Sequence, residues 1–176
     1  AGGFQYGLSR SMNKDCDGAP ILRINSIVDG YISDKDLKHV EVSDKELGKY
    51  KVEFNDILFN RTNSYELVGK TGIFKLAGTF VYASYLIRLR AKDEILPDYL
   101  NYFLNSPIGQ AEIKKRAKRA VSQANVNAKE LGSITMYIPD KAVQEKAVQE
   151  LDLMKQYIKL LKQERDLNQE LFESML

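Results

Sequence analysis

The chain has 176 residues, 44% hydrophobic and 28% charged, with one cysteine, one histidine and a formal net charge of +2. That length fits one globular domain with an appended element, and the balance excludes a disordered or membrane-embedded chain. The single Cys16 excludes an internal disulfide and fits a reducing, cytoplasmic setting. No apolar run reaches the ~18 residues of a membrane span, and no His/Cys/Asp cluster has metal-ligand spacing.

In chain order, Ala1 leads straight into Gly2-Gly3-Phe4, which reads as a fragment or a processed chain. Residues 20–28 predict a strand after the Asp17-Gly18 turn signal, and Ser43 with Glu46 forms a capping-box pattern for a short helix near Leu47. Alternation predicts strands over 50–54 and from Asp56 to Thr62. Two more are expected over 67–76 and 79–90, around Ala77-Gly78. In the latter, Val81, Ala83, Tyr85, Ile87 and Leu89 share a face, while Arg88 and Arg90 point the other way.

Pro97 fits the first turn of a helix with Tyr99, Leu100, Phe103 and Leu104 as its apolar side. A second helix from about Ile108 is expected to bury Ile113, Ala117, Ala120 and Val121. A polar loop, Ser122-Gln-Ala-Asn-Val-Asn, and a short strand over 134–138 follow. Asp140 is a good N-cap, and no Gly or Pro interrupts the chain after it. Ala147, Leu151, Met154, Ile158 and Leu161 step by four and three, and the stripe resumes at Leu167, Leu171 and Met175. A helix of about 55 Å is longer than a body of this size can cover, so its distal half is expected to seek another helix.

Charge is unevenly placed. Residues 57–92 hold six bases against the single acid Glu66, whereas 29–56 hold eight acids and five bases. Lys114-Lys-Arg-Ala-Lys-Arg119 places five bases in six residues, and two readings stay open for it. It is the solvated side of an amphipathic helix, or a phosphate-contact face through Lys114, Lys115, Lys118 and Arg119. Asn60-Arg61-Thr62-Asn63-Ser64, at a strand end, is either a self-capping turn or a loop reaching nucleic acid.

Catalytic motifs are weak. Gly69-Lys70-Thr71 resembles a phosphate loop, but Ser64 stands where that motif needs glycine. Pro97-Asp98 and Glu112-Ile113-Lys114 have the letters of a Mg²⁺ nuclease, yet both fall in predicted helices rather than on adjacent strands. His39 has no supporting triad context, and the Asn60-Arg61-Thr62 sequon matters only in a secreted protein.

Several segments then fall into one order. Gly18-Ala-Pro-Ile-Leu-Arg-Ile-Asn-Ser-Ile precedes Asn55-Asp-Ile-Leu-Phe-Asn-Arg-Thr-Asn-Ser and Glu66-Leu-Val-Gly-Lys-Thr-Gly-Ile-Phe. Gln123-Ala-Asn-Val-Asn, Ile138-Pro and Gln144-Glu-Lys-Ala-Val follow. Over almost its whole length the chain resembles the specificity subunit of type I restriction–modification systems. The resemblance implies an α+β target-recognition domain over 1–139, with a mixed or antiparallel sheet and flanking helices. It implies a conserved-region coiled-coil helix over 140–176, packing through Ala147, Leu151, Met154, Ile158, Leu161, Leu167 and Leu171.

The implied function is non-catalytic and needs no cofactor of its own: recognition of half of a bipartite double-stranded DNA site. The implied partners are a methyltransferase subunit, a restriction subunit and a second specificity half, with no membrane. Full-length members carry two recognition domains and two helices, so this chain reads as half a subunit, working as a homodimer or as part of a longer chain. Expected phosphate contacts are Lys114, Lys115, Lys118, Arg119, Arg61 and Lys70. Expected base contacts are Gln5, Tyr6, Ser9, Arg10, Asn13, Asn63, Gln123 and Asn125. The alternatives are a coiled-coil interaction module that never touches DNA, and a Mg²⁺ nuclease through Asp98 and Glu112.

Overall fold

The computed structural model describes residues 3–13, 17–121 and 123–174; Cys16, Ser122 and Met175 lie outside them. The chain divides into two compact units, Ala1–Ile138 and Pro139–Leu176.

The first unit is α+β. A six-stranded sheet orders β1 (Gly3–Tyr6), β10 (Leu86–Arg90), β6 (Ile57–Asn60), β8 (Thr71–Ile73), β4 (Tyr31–Ile32) and β3 (Ile27–Val28). It is antiparallel except where β4 runs parallel to β8. A second sheet joins β5 (Lys38–Val40), β2 (Ala19–Leu22) and β9 (Val81–Tyr82). A third joins β11 (Lys118–Arg119), β12 (Ala124–Asn125) and β7 (Thr62–Asn63).

Period-two alternation in β6 and β10 splits the core between the two faces of the main sheet. Ile57, Phe59, Ile87 and Leu89 face one side. There they meet Leu100 and Leu104 of α2 (Pro97–Asn105) and Ile113 of α3 (Pro107–Arg116). Leu58 and Leu86 face the other, against Leu22, Phe74 and Tyr82. Arg88 and Arg90 sit on this second face, as alternation demands, and Asp56 holds them. Arg90 Nε lies 2.8 Å and Arg88 Nε 3.7 Å from that carboxylate, which is 3% exposed. A lone buried charge would be costly, so the pairing is what allows Asp56 to be there.

Several expected elements are shorter or different. The strand over 20–28 breaks after Leu22, where Ser26 Oγ accepts from the Arg23 amide at 3.1 Å and a 3-10 turn forms over Ile24–Ser26. The strand over 79–90 breaks at a turn in which Leu86 N donates to Ala83 O at 2.9 Å, leaving Tyr85 exposed instead of sharing the face of Ile87. The strand over 67–76 is reduced to β8 by a turn ending at Gly69, whose φ of +93° and whose contact with Ile113 exclude a side chain. Helix α3 stops at Arg116, because pairing of Lys118 with Asn125 and of Arg119 with Ala124 overrides its helical pattern. Ala120 and Val121, expected in the core, are therefore exposed.

The segment 134–138 has no regular structure. Before it lies an unforeseen helix, α4 (Ala128–Gly132), which Asn127 and Glu130 cap reciprocally. The short helix near Leu47 is present as α1 (Asp44–Tyr50) with the Ser43–Glu46 capping box. The second unit is α5 (Lys141–Ser174), 34 residues and about 51 Å long.

Candidate nucleic-acid interface

The basic run straddles the end of α3, and its members have different environments. Lys114 turns inward: its ammonium donates to the carbonyls of Val68 at 2.8 Å, Glu66 at 2.9 Å and Tyr65. Burial holds its pKa below the ordinary lysine range, against opposing contributions from Tyr65 and Glu66. This lysine ties down the turn before Gly69 and is poorly placed to meet a phosphate. Lys115 pairs with Glu112 at 2.6 Å while remaining 70% exposed. Arg116 is clamped by Glu112 at 2.7 Å and by Ser133 Oγ at 3.0 Å. Lys118, 77% exposed, reaches Glu130 at 3.1 Å. The Arg119 guanidinium lies over the Tyr65 ring, 3.5 Å from its centre.

The β11–β12–β7 sheet brings a second set together. Its register places Lys118 beside Asn125 and Asn125 beside Thr62 on one face. Asn125 Nδ2 donates to Thr62 Oγ1 at 2.6 Å, and Asn125 Oδ1 accepts from Arg61 Nη2 at 3.4 Å. The Arg61 guanidinium lies 4.7 Å from the centre of the Tyr6 ring. Tyr6 is anchored in turn, its hydroxyl accepting from Ala128 N at 3.0 Å. Tyr6, Arg61, Thr62, Asn125 and Lys118 thus form one polar, positively charged face on a sheet fixed by its neighbours.

Beside β7 lies an open groove of about 610 Å³, bordered by Asn63, Lys70, Arg23, Asn25, Lys38 and Tyr85. Three of these carry positive charge, and Tyr85 and Lys70 are exposed. Asp36 accepts from Arg23 at 3.2 Å and from Asn25 at 3.1 Å, so part of this charge is already matched. Sequence reasoning singled out Asn63 and Lys70 but missed Lys38 and Tyr85, which no local signal distinguishes. Strand pairing and the turn before β10 bring them here.

Other expected contacts lie elsewhere. Gln5 donates to Lys49 O at 3.1 Å and accepts from Arg88, which makes it a bracket of the main sheet. Arg10 pairs with Glu46 at 2.7 Å. Asn13 bridges to His39 through the backbone and donates to Asp17 O at 3.2 Å. Ser9 and Gln123 are exposed, and the carbonyl of Gln123 accepts from Ala120 N at 2.7 Å. The two carboxylates of the nuclease reading are engaged separately, Asp98 with Lys75 at 2.9 Å and Glu112 with Lys115 and Arg116. The two basic neighbours hold the Glu112 carboxyl below the usual carboxylate range.

On α5, Leu151, Met154, Ile158 and Leu161 are exposed and Ala147 is half-buried. A helix turns 100° per residue, so the six-residue step from Leu161 to Leu167 leaves this line. Leu167 and Leu171 instead continue a second exposed line through Leu153, Tyr157 and Leu160, about 120° round the helix. Phe172 returns to the first.

The family model for the type I restriction modification DNA specificity domain matches residues 8–171. The chain belongs to this specificity family. It is 31% identical over 157 residues to the type I restriction enzyme EcoKI specificity subunit of Escherichia coli K12, covering 88% of this chain and 34% of that protein. Among solved structures, a chain of a type I R-M system studied for complex assembly and conformational transition superposes with a TM-score of 0.69. Identity is 19%, over 91% of this chain and 37% of that one. The HsdS subunit from Thermoanaerobacter tengcongensis gives 0.61 and 19%, over 92% and 36%. The fold is therefore that of specificity subunits, and the chain spans about a third of the length of the curated relatives it matches. Among the described residues, no helix is long and apolar enough to cross a membrane.

Proposed function

We propose that the first unit reads one half of a bipartite double-stranded DNA site as a non-catalytic specificity module, and that α5 sets the spacing to a second half. Membership of the specificity family over residues 8–171 carries this reading. Physical support comes from the convergence of Tyr6, Arg61, Thr62, Asn125 and Lys118 on one face beside the groove of Lys70, Lys38 and Asn63. Lys115 and Lys118, whose exposed ion pairs are cheap to exchange, would meet phosphates together with Arg119. Lys114, Gln5 and Asn13 leave the contact set, because their side chains hold the fold.

The two apolar lines on α5 fit two neighbours at once. The line of Leu151, Met154, Ile158 and Leu161 would pack on a second specificity helix, in a homodimer or in the other half of a longer chain. The line of Leu153, Tyr157, Leu160, Leu167 and Leu171 would serve the methyltransferase subunit, with a restriction subunit joining the cytoplasmic assembly.

The test is to sequence duplexes retained from a random pool by the 176-residue chain, alone and with a methyltransferase subunit. Enrichment of a short motif, doubled at fixed spacing in a dimer, is expected. Retention of no duplex would leave only the interaction-module reading, and a bound pool with no sequence bias would leave charge-driven binding without half-site recognition.

A further inference from the structure

The groove beside β7 lies at the carboxyl end of β6. There Asn60 N donates to Lys70 O at 2.9 Å, and Arg61 N donates to Tyr85 O at 3.0 Å. Lys70 and Tyr85 therefore sit on the two segments that flank this strand end, their backbones about 10 Å apart, or two strand spacings.

The groove is not simply basic. Tyr85 is 52% exposed although its backbone is pinned, its carbonyl held by Arg61 N and its turn closed by Leu86 N donating to Ala83 O. Leu67 lines the same groove at 53% exposure, and its carbonyl accepts from Asn60 Nδ2 at 3.2 Å. Two large apolar side chains are thus held open on fixed backbone, inside a border of Arg23, Lys38 and Lys70. Asp36 matches Arg23, whereas Lys38 and Lys70 have no carboxylate partner among the described residues. A phosphate chain alone needs no ring and no leucine, and an apolar peptide needs no lysines. A nucleotide needs both.

Asn60 forms the floor. It is fully buried, and its Oδ1 has no donor among the described residues. Buried acceptors are normally satisfied, so an unmet one beneath an open groove is best explained by a donor that arrives with a ligand. A base stacked inside a duplex cannot reach that depth. A base turned out of the duplex can, and its Watson–Crick edge is then free to donate.

We propose that this groove takes a single nucleotide turned out of the DNA duplex. Its base stacks on Tyr85 beside Leu67, its Watson–Crick edge reaches the Asn60 acceptor, and its flanking phosphates meet Lys38 and Lys70. The volume of about 610 Å³ lies within the range of small-molecule sites. This rests on the DNA-recognition reading above and adds to it what the groove holds and which ring holds it.

The experiment takes the motif enriched from the random duplex pool and makes each of its nucleotides abasic in turn, on either strand. Where the partner of the held base is missing, binding no longer has to break a pair. At that position the unaltered chain is expected to bind about tenfold more tightly. Removing the held base itself should give no such gain, because nothing remains to stack. Tyr85→Ala is expected to keep its thermal midpoint, to bind the paired duplex about tenfold more weakly and to lose the gain. Tyr85→Phe, which keeps the ring, should retain both affinity and gain. A gain that is equal on the two strands would report only a more flexible duplex and overturns the proposal. So does a gain that persists in Tyr85→Ala, or the absence of any gain, and in each case the half-site reading stands. If the unaltered chain enriches no motif, the DNA reading itself fails and takes this proposal with it.

Discussion

The guanidinium of Arg119 lies 3.5 Å from the centre of the Tyr65 ring, while the ammonium of Lys114, five positions earlier, lies 5.1 Å from the same centre and caps the turn that carries Tyr65. One basic run therefore does two jobs. Removing Lys114 leaves three carbonyls short of a donor, so Lys114→Ala is expected to lower stability by about 1–3 kcal/mol, read as a drop in denaturant midpoint. A stable Lys114→Ala whose DNA affinity alone falls would return this residue to the contact face.

The exposed members behave differently. Lys115→Ala, Lys118→Ala and Arg119→Ala combined are expected to leave the thermal midpoint nearly unchanged. They should weaken binding to all duplexes alike and flatten the log–log salt dependence by roughly 0.9 per lost phosphate contact. Fluorescence anisotropy at several salt concentrations checks this, and an unchanged slope would remove these side chains from the phosphate set.

Asp56 is the buried acid on which Arg88 and Arg90 converge, and its carboxylate also accepts from Glu53 N at 2.9 Å. Asp56→Ala removes the acceptor the two guanidinium groups share, leaving Arg88 with Lys51 O and Gln5 and Arg90 with Glu53, at a cost of about 1–3 kcal/mol. Unfolding by denaturant should show it, and a change below 1 kcal/mol would mean that water compensates the arginines.

Acid should weaken the helix caps. Glu46 is held below its usual pKa of 4.5 by the backbone of Ser43, and Glu130 by that of Asn127. For a carboxylate with a depressed folded pKa, the stabilising contribution is complete above the unfolded value. It is lost as pH falls through the folded one. The thermal midpoint is thus expected to decline below about pH 4.5, and Glu130→Gln should show a shallower decline. Parallel curves for the two proteins would contradict the assignment.

For assembly, Leu151→Asp with Ile158→Asp is expected to give a folded chain that no longer self-associates by sedimentation. Leu153→Asp with Leu160→Asp should leave self-association intact and abolish capture of the methyltransferase subunit. Loss of both properties in both pairs would mean that α5 has a single interface.

Local signals told most about ends and faces. The Ser43–Glu46 box, Pro97 at a helix start and the alternation of Leu58, Ile87 and Leu89 were all readable. The same kind of signal, Asn127 with Glu130, marks the start of α4, which falls between the loop expected over 122–127 and the strand expected over 134–138. What sequence could not supply was tertiary choice. The Lys114–Arg119 run has good helix formers, and only pairing with Asn125 and Ala124 pulls its second half into a strand. Tyr85 and Lys38 reach the groove through turns and pairings of distant segments. The α5 stripe was visible, but its division needed the 100° step applied across the charged Lys162–Asp166 interval.

The half-site reading is tested most directly by mapping methylated bases across the genome of a host carrying this gene and of the same host with it deleted. A two-part methylated motif, one part matching the duplexes that the chain enriches from a random pool, should be present in the first genome and absent from the second. The same motif methylated in both, or a lost motif unrelated to the enriched sequence, would contradict it.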